Sequence, residues 1–294
     1  PSDSVPQIFD RARLLVNRRR HARAFYEHDF LHRQIAQELA QRLALFKQDF
    51  KTALCIGKSA LLREALLKPT QITTLYGSDI GGDIDGDIDG DIDANATLIL
   101  DEEHLPLAAA SCDLIVSFMG LHNTNDMVGA MRQMRNALAP DGVFLAALPA
   151  GRTLQELRTA FLTAESDLLG GVHPHIHPFA DLRDLGDLLQ RAGFALPIAD
   201  SEIITIDYTK PEQLLYDLRG MGESNILYNR QKRFLRRDVL ARTLQLFQEG
   251  GCKATFEICY LVARAPHENQ PKPLQRGSAT TSFAQALKNN KRQS

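Results

Sequence analysis

The chain has 294 residues, of which 44% are hydrophobic and 24% are charged, and its formal net charge is −2. This length suits one large domain or two small ones that bury enough surface to need no disulfide or metal for stability. The nearly neutral charge argues against a general nucleic-acid binder. Because no apolar run approaches the roughly 20 residues that span a bilayer and no secretion signal is visible, we expect a cytoplasmic protein.

The cysteine pattern indicates buried, reduced thiols. None of the four cysteines forms a C-x-x-C pair, and two of them lie in apolar runs typical of strands. We therefore expect a reducing compartment and neither a disulfide nor a zinc site. The four residues are Cys55, Cys112, Cys252 and Cys259.

Residues 1–50 are predicted to form a basic and amphipathic helical segment. Apolar residues recur at helical spacing over Asp29–Phe46, which predicts an amphipathic helix. Ile8–Arg23 is dense in arginine and leaves two alternatives open: a solvated helix face, or a surface that docks onto an acidic partner or an anionic membrane. The arginines are Arg11, Arg13, Arg18, Arg19, Arg20 and Arg23.

The next part of the chain alternates between strands and helices, which predicts a parallel sheet with crossover helices and hence an α/β fold. Asp126–Leu138 is helical by its apolar periodicity, and residues 139–142 read Ala-Pro-Asp-Gly, a turn. The predicted strands are Ala53–Ile56, Ile72–Tyr76, Thr97–Leu100, Cys112–Phe118 and Val143–Leu148, with a helix at Ser59–Leu67.

The C-terminal part is less regular. Ala195–Tyr208 and Thr255–Ala265 are predicted to pair as an antiparallel edge hairpin, so the main domain is expected over residues 51–265, with substrate-side insertions at about 150–250. The polar tail, 266–294, is predicted to be poorly ordered. The predicted helices here are Thr153–Leu169, Asp181–Arg191, Leu214–Leu218 and Asp238–Phe247.

A Gly-Asp-Ile-Asp repeat occupies residues 82–93. Its clustered carboxylates raise a calcium interpretation, but the twelve-residue loop with a terminal glutamate is missing. We therefore expect an expanded surface loop.

The ends of the first two strands predict a cofactor site. In an open parallel sheet, ligands bind beyond the carboxyl ends of the strands. Gly57 ends the first strand and Ser59 lies at the start of the following helix, where free backbone N–H groups are available. Asp79 ends the second strand, and a carboxylate there accepts both ribose hydroxyls of a nucleoside.

The ends of the third and fourth strands extend this site. Asp101 and Glu102 follow the third strand, where an acid can bind an adenine amino group; the alternative for Glu102 is a solvated loop. Met119 and His122 follow the fourth strand and are expected near the reactive end of the cofactor. His122 acts there as a base or orients a substrate, or else it bonds only to the backbone.

Several motifs together carry a family resemblance. Leu100–Pro106, Phe118–Asn125 and Leu138–Phe144 resemble the corresponding motifs of class I S-adenosylmethionine (SAM) methyltransferases. Further motifs are similar to those of the complex I assembly factor five family, so that the resemblance spans nearly the whole chain. These motifs are Ile8–Arg11, Thr153–Arg158, Pro174–Phe179, Gly220–Asn225 and Arg276–Thr280.

The resemblance implies a Rossmann-like, seven-stranded methyltransferase sheet with helices on both faces and SAM as cofactor. It also implies a role in maturing respiratory NADH:quinone oxidoreductase, with a subunit of that complex as protein substrate, possible arginine hydroxylation, peripheral contact with the inner membrane and a matrix location in a eukaryote. If the substrate is an arginine, Glu223 is a candidate guanidinium partner, since a carboxylate binds that group bidentately. The alternative for the loop around it is a helix cap by Ser224 or Asn225.

The chain departs from the family pattern at the first loop, which reads Gly-Lys-Ser-Ala-Leu from Gly57. Ser59 and Leu61 replace glycines, and Cys55 replaces an acid. These changes favour a second hypothesis, a non-catalytic assembly chaperone with a degenerate SAM pocket. The sequence offers no metal site: a three-histidine group at His173, His175 and His177 is disfavoured because the family pattern does not cover all three histidines.

Overall fold

Seven strands form one sheet in this computed structural model, which describes residues 5–57, 59–67, 72–81 and 97–271. The strands are β1 (Phe50–Gly57), β2 (Ile72–Ser78), β3 (Thr97–Leu98), β4 (Cys112–Phe118), β5 (Leu138–Pro149), β6 (Ala195–Asp207) and β7 (Lys253–Arg264). The helices are α1 (Arg11–His21), α2 (Phe30–Leu43), α3 (Ser59–Leu67), α4 (Met127–Ala137), α5 (Gln155–Leu169), α6 (Leu182–Arg191), α7 (Pro211–Gly220) and α8 (Arg237–Glu249). Short 3-10 turns occupy Ala24–Glu27 and Leu121–Asn123.

The sheet order is β3-β2-β1-β4-β5-β7-β6, in which β1 to β5 run parallel. The predicted α/β class and the seven-stranded sheet are confirmed. Chain order reverses between β1 and β4, which pair from Ala53 with Leu114 to Gly57 with Phe118. The crevice beyond the carboxyl ends of these two strands is therefore the place where the fold accepts a ligand.

The central strands are apolar throughout because helices cover both faces of the sheet. Successive side chains of β4 point to opposite faces: Leu114 and Val116 belong to one hydrophobic core, while Ile115 belongs to the other. In β1, Cys55 joins the first core and Leu54 the second. This two-sided burial explains why β4 could be predicted with its observed bounds.

The last two strands complete the sheet in antiparallel fashion. β6 pairs with β7 over its whole length, as predicted, and β7 also pairs with β5. The predicted antiparallel pair at the sheet edge is confirmed: β6 is the edge strand, and β7 lies between β6 and β5. α7 and α8 lie between β6 and β7 in the sequence, so that these strands are joined by a long connection.

The predicted turn at residues 139–142 proves to be part of β5, which begins at Leu138. The ladder between β4 and β5 shifts register between Cys112 and Leu114, and Asp141 has a φ of 64°. Residues 139–142 therefore form an irregularity inside β5, since β5 pairs with β4 both before and after them.

The N-terminal helices pack onto the main domain. α2 buries its apolar face, with Ile35 and Leu39 fully inside the core, so that the predicted amphipathic helix is confirmed. α1 is preceded by an isolated bridge between Phe9 and Leu227, which ties it to the loop after α7. The division into segments 1–50, 51–265 and 266–294 stays a prediction.

Several predictions fall outside the described residues. These are the Gly-Asp-Ile-Asp repeat at 82–93, most of the tail, and the Arg276–Thr280 motif. Within the described residues, all four cysteines are buried without a disulfide, and burial raises the pKa of Cys55 to about 12. None of the helices in this part of the chain has the length and apolar character to cross a bilayer.

Candidate functional site

Arg11 of α1 binds the two acids that follow β3. Its Nη2 lies 2.5 Å from Oδ1 of Asp101 and 2.6 Å from Oε2 of Glu102. Glu102 is only 3% exposed, so the solvated-loop alternative for this residue is wrong. Burial lowers the pKa of Arg11, but the two carboxylates outweigh that effect and raise it above its usual value. Asp101 and Glu102, predicted to bind an adenine amino group, both pair with this arginine.

Arg18 lies seven residues further along α1, and its side chain reaches the ends of β2 and β4. Its Nη2 donates to Oε1 of Glu223 at 3.0 Å and to the carbonyl oxygen of Met119 at 3.2 Å. Its Nη1 lies 3.9 Å from Oδ2 of Asp79, whose Oδ1 accepts the backbone N–H of Gly81 at 2.7 Å. Asp79, Met119 and Glu223 are thus brought together by one guanidinium.

These ion pairs correct the interpretation of the arginine-rich segment. Arg18 is 6% exposed, and the side chain of Arg11 is 13% exposed. For these two residues the solvated-face alternative is wrong, because they carry buried charges that need carboxylate partners. Sequence reasoning missed both as site residues, although their spacing of seven places them on one face of a helix.

The glycine loop keeps one essential feature. Gly57 has a φ of +100°, and a Cβ there would lie 2.0 Å from the carbonyl oxygen of Phe118. Only glycine allows β1 to turn this close to β4. Ser59 begins α3, as predicted, and Leu61 is buried in the core.

The residues predicted to hold a nucleoside have partners within the protein. A ribose needs free oxygens on Asp79, and an adenine amino group needs a free carboxylate after β3. Instead Asp79 is buried with one oxygen bonded to Gly81, and Arg11 engages both Asp101 and Glu102. An adenosine that binds the acids after β3 would therefore have to displace the guanidinium of Arg11.

A cavity of about 360 Å³ lies beside these ion pairs, on the side of α5, α7 and α8. Its walls are mainly apolar, with Leu157, Phe161 and Phe256 among them, and one end is polar. The polar end is formed by His122, His177 and Glu223. A mostly apolar cavity with a few convergent polar groups is typical of a binding site.

Glu223 and His122 form the charged centre of this polar end. Oε2 of Glu223 lies 3.4 Å from Nε2 of His122. Burial raises the pKa of Glu223, but Arg18 and His122 outweigh it, and the pKa lies far below its usual value. Glu223 is therefore an ionised, largely buried carboxylate, and both predicted catalytic residues share one cavity.

His177 closes the polar end as a neutral ring. Burial, together with the nearby His122, lowers its pKa to about 4. Nε2 of His177 accepts the backbone N–H of Ile226 at 3.3 Å, which leaves the ring proton on Nδ1. The sequence reasoning did not select this histidine as a site residue.

Glu165 organises the other two histidines of the H-P-H-I-H segment. Its carboxylate lies 2.8 Å from Nε2 of His175 and 3.3 Å from Nδ1 of His173. Burial raises the pKa of Glu165, but hydrogen bonds from His175 and His173 outweigh it and lower the pKa. Sequence reasoning missed this acid, although it falls on the buried face of α5 beside Leu157 and Phe161.

One group in the described part of the chain has the donor atoms for a metal ion: Asp101, Glu103 and His104. Arg11 is bound to Asp101, and a guanidinium beside a ligand opposes a second cation. The backbone N–H of Asn125 also donates to Glu103. These contacts already account for the acids of the group.

Ser224 and Asn225 do not cap a helix, because α7 ends with Met221 as its C-cap and α8 begins only at Arg237. Ser224 lines the cavity, and Nδ2 of Asn225 donates to the carbonyl oxygen of Pro174 at 2.9 Å. The cap alternative is therefore wrong. Gly222 has a φ of +79°, which lets the chain reverse directly after α7 and place Glu223 in the cavity.

Comparison with known proteins agrees with the fold. A methyltransferase-domain family model matches residues 29–197. The chain belongs to the methyltransferase-domain family. It is also 36% identical over 274 residues to the mitochondrial arginine-hydroxylase NDUFAF5 of Danio rerio, covering 91% of this chain and 85% of that protein. The human NDUFAF5 is 35% identical, covering 89% of this chain and 77% of its own length. The chain therefore belongs with these proteins in one family.

Solved structures show the same fold at low identity. The YcgJ protein of Bacillus subtilis superposes with a TM-score of 0.51 and 13% identity, covering 78% of this chain and 98% of that one. At this identity the likeness concerns the fold alone.

Proposed function

We propose that this protein modifies an arginine side chain of a protein substrate, with Glu223 as the receptor for the guanidinium group. The observation that carries the proposal is the contact between Glu223 and Arg18, in which this carboxylate already binds a guanidinium at 3.0 Å. The relatives named arginine hydroxylases support the same substrate class.

One oxygen of Glu223 has room for a further donor, because its partner His122 is distant and a carboxylate oxygen can accept more than one hydrogen bond. Oε1 binds Arg18, while Oε2 faces His122 at 3.4 Å. A substrate guanidinium would bind Oε2, because an ionised carboxylate forms strong charge-assisted hydrogen bonds with such a donor. The neutral ring of His177 adds no positive charge that would repel the incoming cation.

The apolar walls serve the rest of the arginine side chain. Its methylene stem would pack against residues such as Met119 and Phe179, which line the cavity. Removing water from this space strengthens the attraction between the guanidinium and Glu223. We assign to the described side chains the binding and orientation of the arginine. Hydroxylation with molecular oxygen also consumes two electrons and two protons, so the reaction requires a separate two-electron donor as co-substrate.

The proposed protein substrate is a subunit of respiratory NADH:quinone oxidoreductase, as the family resemblance implies. Peripheral contact with the membrane that holds this complex is part of the same proposal. Phe234 is fully exposed next to Lys232 and Arg233, and an exposed aromatic beside basic residues supports contact with an anionic surface.

SAM binding by this chain is also a proposal, and it requires Arg11 to leave Asp101 and Glu102. The methyltransferase fold supports the cofactor class. The ion pairs support competition between Arg11 and SAM, because both would bind the same carboxylates, Asp101 and Glu102.

These ion pairs also favour the second candidate, a non-catalytic assembly chaperone. Arg11 and Arg18 satisfy the carboxylates internally, which is expected where a former cofactor pocket has become structural. The two candidates differ in what they require of Glu223: a chaperone needs it only for folding.

Binding of small arginine compounds tests the first candidate. We would titrate the protein with N-acetylarginine amide and with its citrulline analogue, which has a similar shape without the charge. We expect binding of the arginine compound alone, at least tenfold weaker in Glu223→Gln and unchanged in Glu212→Gln, an exposed control. Equal binding of both compounds, or no effect of Glu223→Gln, would contradict the proposal.

A cellular test separates the enzyme from the chaperone. Cells lacking the protein would receive either the natural chain or Glu223→Gln at equal abundance. The enzyme hypothesis predicts an arginine of an oxidoreductase subunit that gains one oxygen atom only with the natural chain, detected by mass spectrometry. If the complex assembles fully with Glu223→Gln, and neither the natural chain nor the variant yields a modified arginine, the chaperone hypothesis is supported instead.

A further inference from the structure

A second face of α1 forms a basic pocket that the proposed function does not use. Positions 13, 17, 20 and 21 share one side of the helix, because about 3.6 residues make one turn. Arg219 and Ser224, at the end of α7 and just after it, complete the walls. The pocket has a volume of about 360 Å³ and is lined by Arg13, Asn17, Arg20, His21, Arg219 and Ser224.

The arginines of this pocket have no acidic partner among the residues that the structure describes. Arg11 and Arg18 on the other face of α1 are paired with acids. Among the described residues, by contrast, no carboxylate oxygen lies within 4.0 Å of the guanidinium nitrogens of Arg13, Arg20 or Arg219. Three guanidinium groups held around one hollow repel one another, so an anion between them would stabilise the arrangement.

Asn17 provides an independent indication of a ligand. Its side chain is 2% exposed and lines the pocket, yet its Nδ2 has no hydrogen-bond partner in the described part of the chain. Buried amide groups are nearly always bonded, because an unsatisfied donor away from water destabilises the protein. An acceptor atom of a ligand in the pocket would satisfy this donor.

We propose that this pocket binds a phosphate group. Its lining offers donors of several kinds: three guanidinium groups, the amide of Asn17 and the hydroxyl of Ser224. A phosphate carries enough acceptor oxygens to engage them together, whereas a carboxylate has only two oxygens. Arginine is also the residue best suited to bidentate phosphate binding. The phosphate belongs to a soluble monoester or to a lipid headgroup, which share this chemistry.

The pocket adjoins the cavity that contains Glu223. Arg219 and Ser224 line both spaces, so that a phosphate bound here lies next to the cavity that holds Glu223. The proposal does not depend on arginine modification, since it concerns α1 residues that do not contact Glu223. Phosphate binding and arginine binding are therefore tested separately.

Calorimetry with inorganic phosphate, in a buffer free of other multivalent anions, tests the site on the full chain. We expect binding that weakens at least tenfold in Arg20→Gln and in Asn17→Leu. Arg237→Gln removes the same charge from an exposed position elsewhere and serves as the matched control. Because Arg20 is exposed, Arg20→Gln is expected to fold even if Asn17→Leu does not.

Two further arms identify the source of the phosphate. One uses glycerol 1-phosphate, and the other uses phosphatidylcholine vesicles with and without phosphatidic acid. Binding in either arm that Arg20→Gln weakens supports the site and names its source. Absence of inorganic phosphate binding, equal losses in Arg20→Gln and Arg237→Gln, or tighter binding of a glutamate-rich peptide than of phosphate would overturn the proposal.

Discussion

The guanidinium of Arg18 donates to Oε1 of Glu223 at 3.0 Å, although 205 residues separate them in the chain. This bond joins α1 to the loop after α7 across the carboxyl edge of the sheet. It places a cation between the acid predicted for ribose, Asp79, and the acid predicted for a substrate guanidinium. One helix therefore controls both the expected cofactor edge and the cavity.

Replacing Arg18 tests the stability of this arrangement. We expect Arg18→Met to lower the free energy of unfolding by about 3–5 kcal/mol, because it leaves the buried Glu223 without its guanidinium partner. Urea denaturation would measure the loss. Arg18→Met with Glu223→Gln should recover most of it, and Arg23→Met, at an exposed position, should change little. A single variant as stable as the natural chain would show that the pair contributes nothing.

SAM affinity tests the competition at Arg11. We expect weak binding to the natural chain and at least tenfold tighter binding to Arg11→Met, which frees Asp101. The variant also carries Glu102→Gln, because Arg11→Met alone would leave a buried carboxylate unpaired. Calorimetry would measure SAM binding to the natural chain and to this double variant, and adding Asp79→Ala to the double variant should abolish the binding. If releasing Arg11 leaves the affinity unchanged, the ion pairs do not restrict the cofactor.

Gly57→Ala tests the close approach of β1 and β4. The new Cβ would lie 2.0 Å from the carbonyl oxygen of Phe118, a backbone atom that cannot move alone. We expect a loss of several kcal/mol in thermal unfolding. Gly170→Ala has a positive φ but open space around it, and should cost only about 1 kcal/mol. Similar losses for both variants would mean that the steric contact has no effect.

The dependence of stability on pH tests the neutral state of His177. Its pKa falls from 6.5 in the unfolded chain to about 4 in the folded one. The folded state thus binds fewer protons, so the stability that is present above pH 6.5 is lost as the pH falls through this range. The contribution is about 3 kcal/mol, since each pKa unit corresponds to about 1.4 kcal/mol.

His177→Gln keeps an acceptor for the N–H of Ile226 but cannot titrate. Urea midpoints between pH 7 and pH 4 should therefore fall less steeply for this variant than for the natural chain. His104→Gln, at an exposed histidine, should follow the natural chain. Equal slopes for all three proteins would show that His177 is not the group responsible.

The sequence was sufficient for the elements whose burial is symmetric or periodic. β4 was predicted with its observed bounds, Cys112–Phe118, because an uninterrupted apolar run is what a strand covered on both faces requires. The residues at the ends of the parallel strands, such as Asp79 and Met119, were predicted to share one edge for a topological reason, and they do. The irregular start of β5 was missed, since Pro-Asp-Gly is typical of both turns and bulges.

By itself, then, the sequence determined the order of strands and helices and the edge at which polar residues gather, because periodicity and chain order are local properties. Only the tertiary structure decided that Arg11 and Arg18 form ion pairs with acids at that edge, while Arg13 and Arg20 line a different pocket. The six arginines from Arg11 to Arg23 are identical in chemistry. Their roles differ because packing brings carboxylates within reach of two of them, and ion pairing between distant segments leaves no periodic trace in the chain.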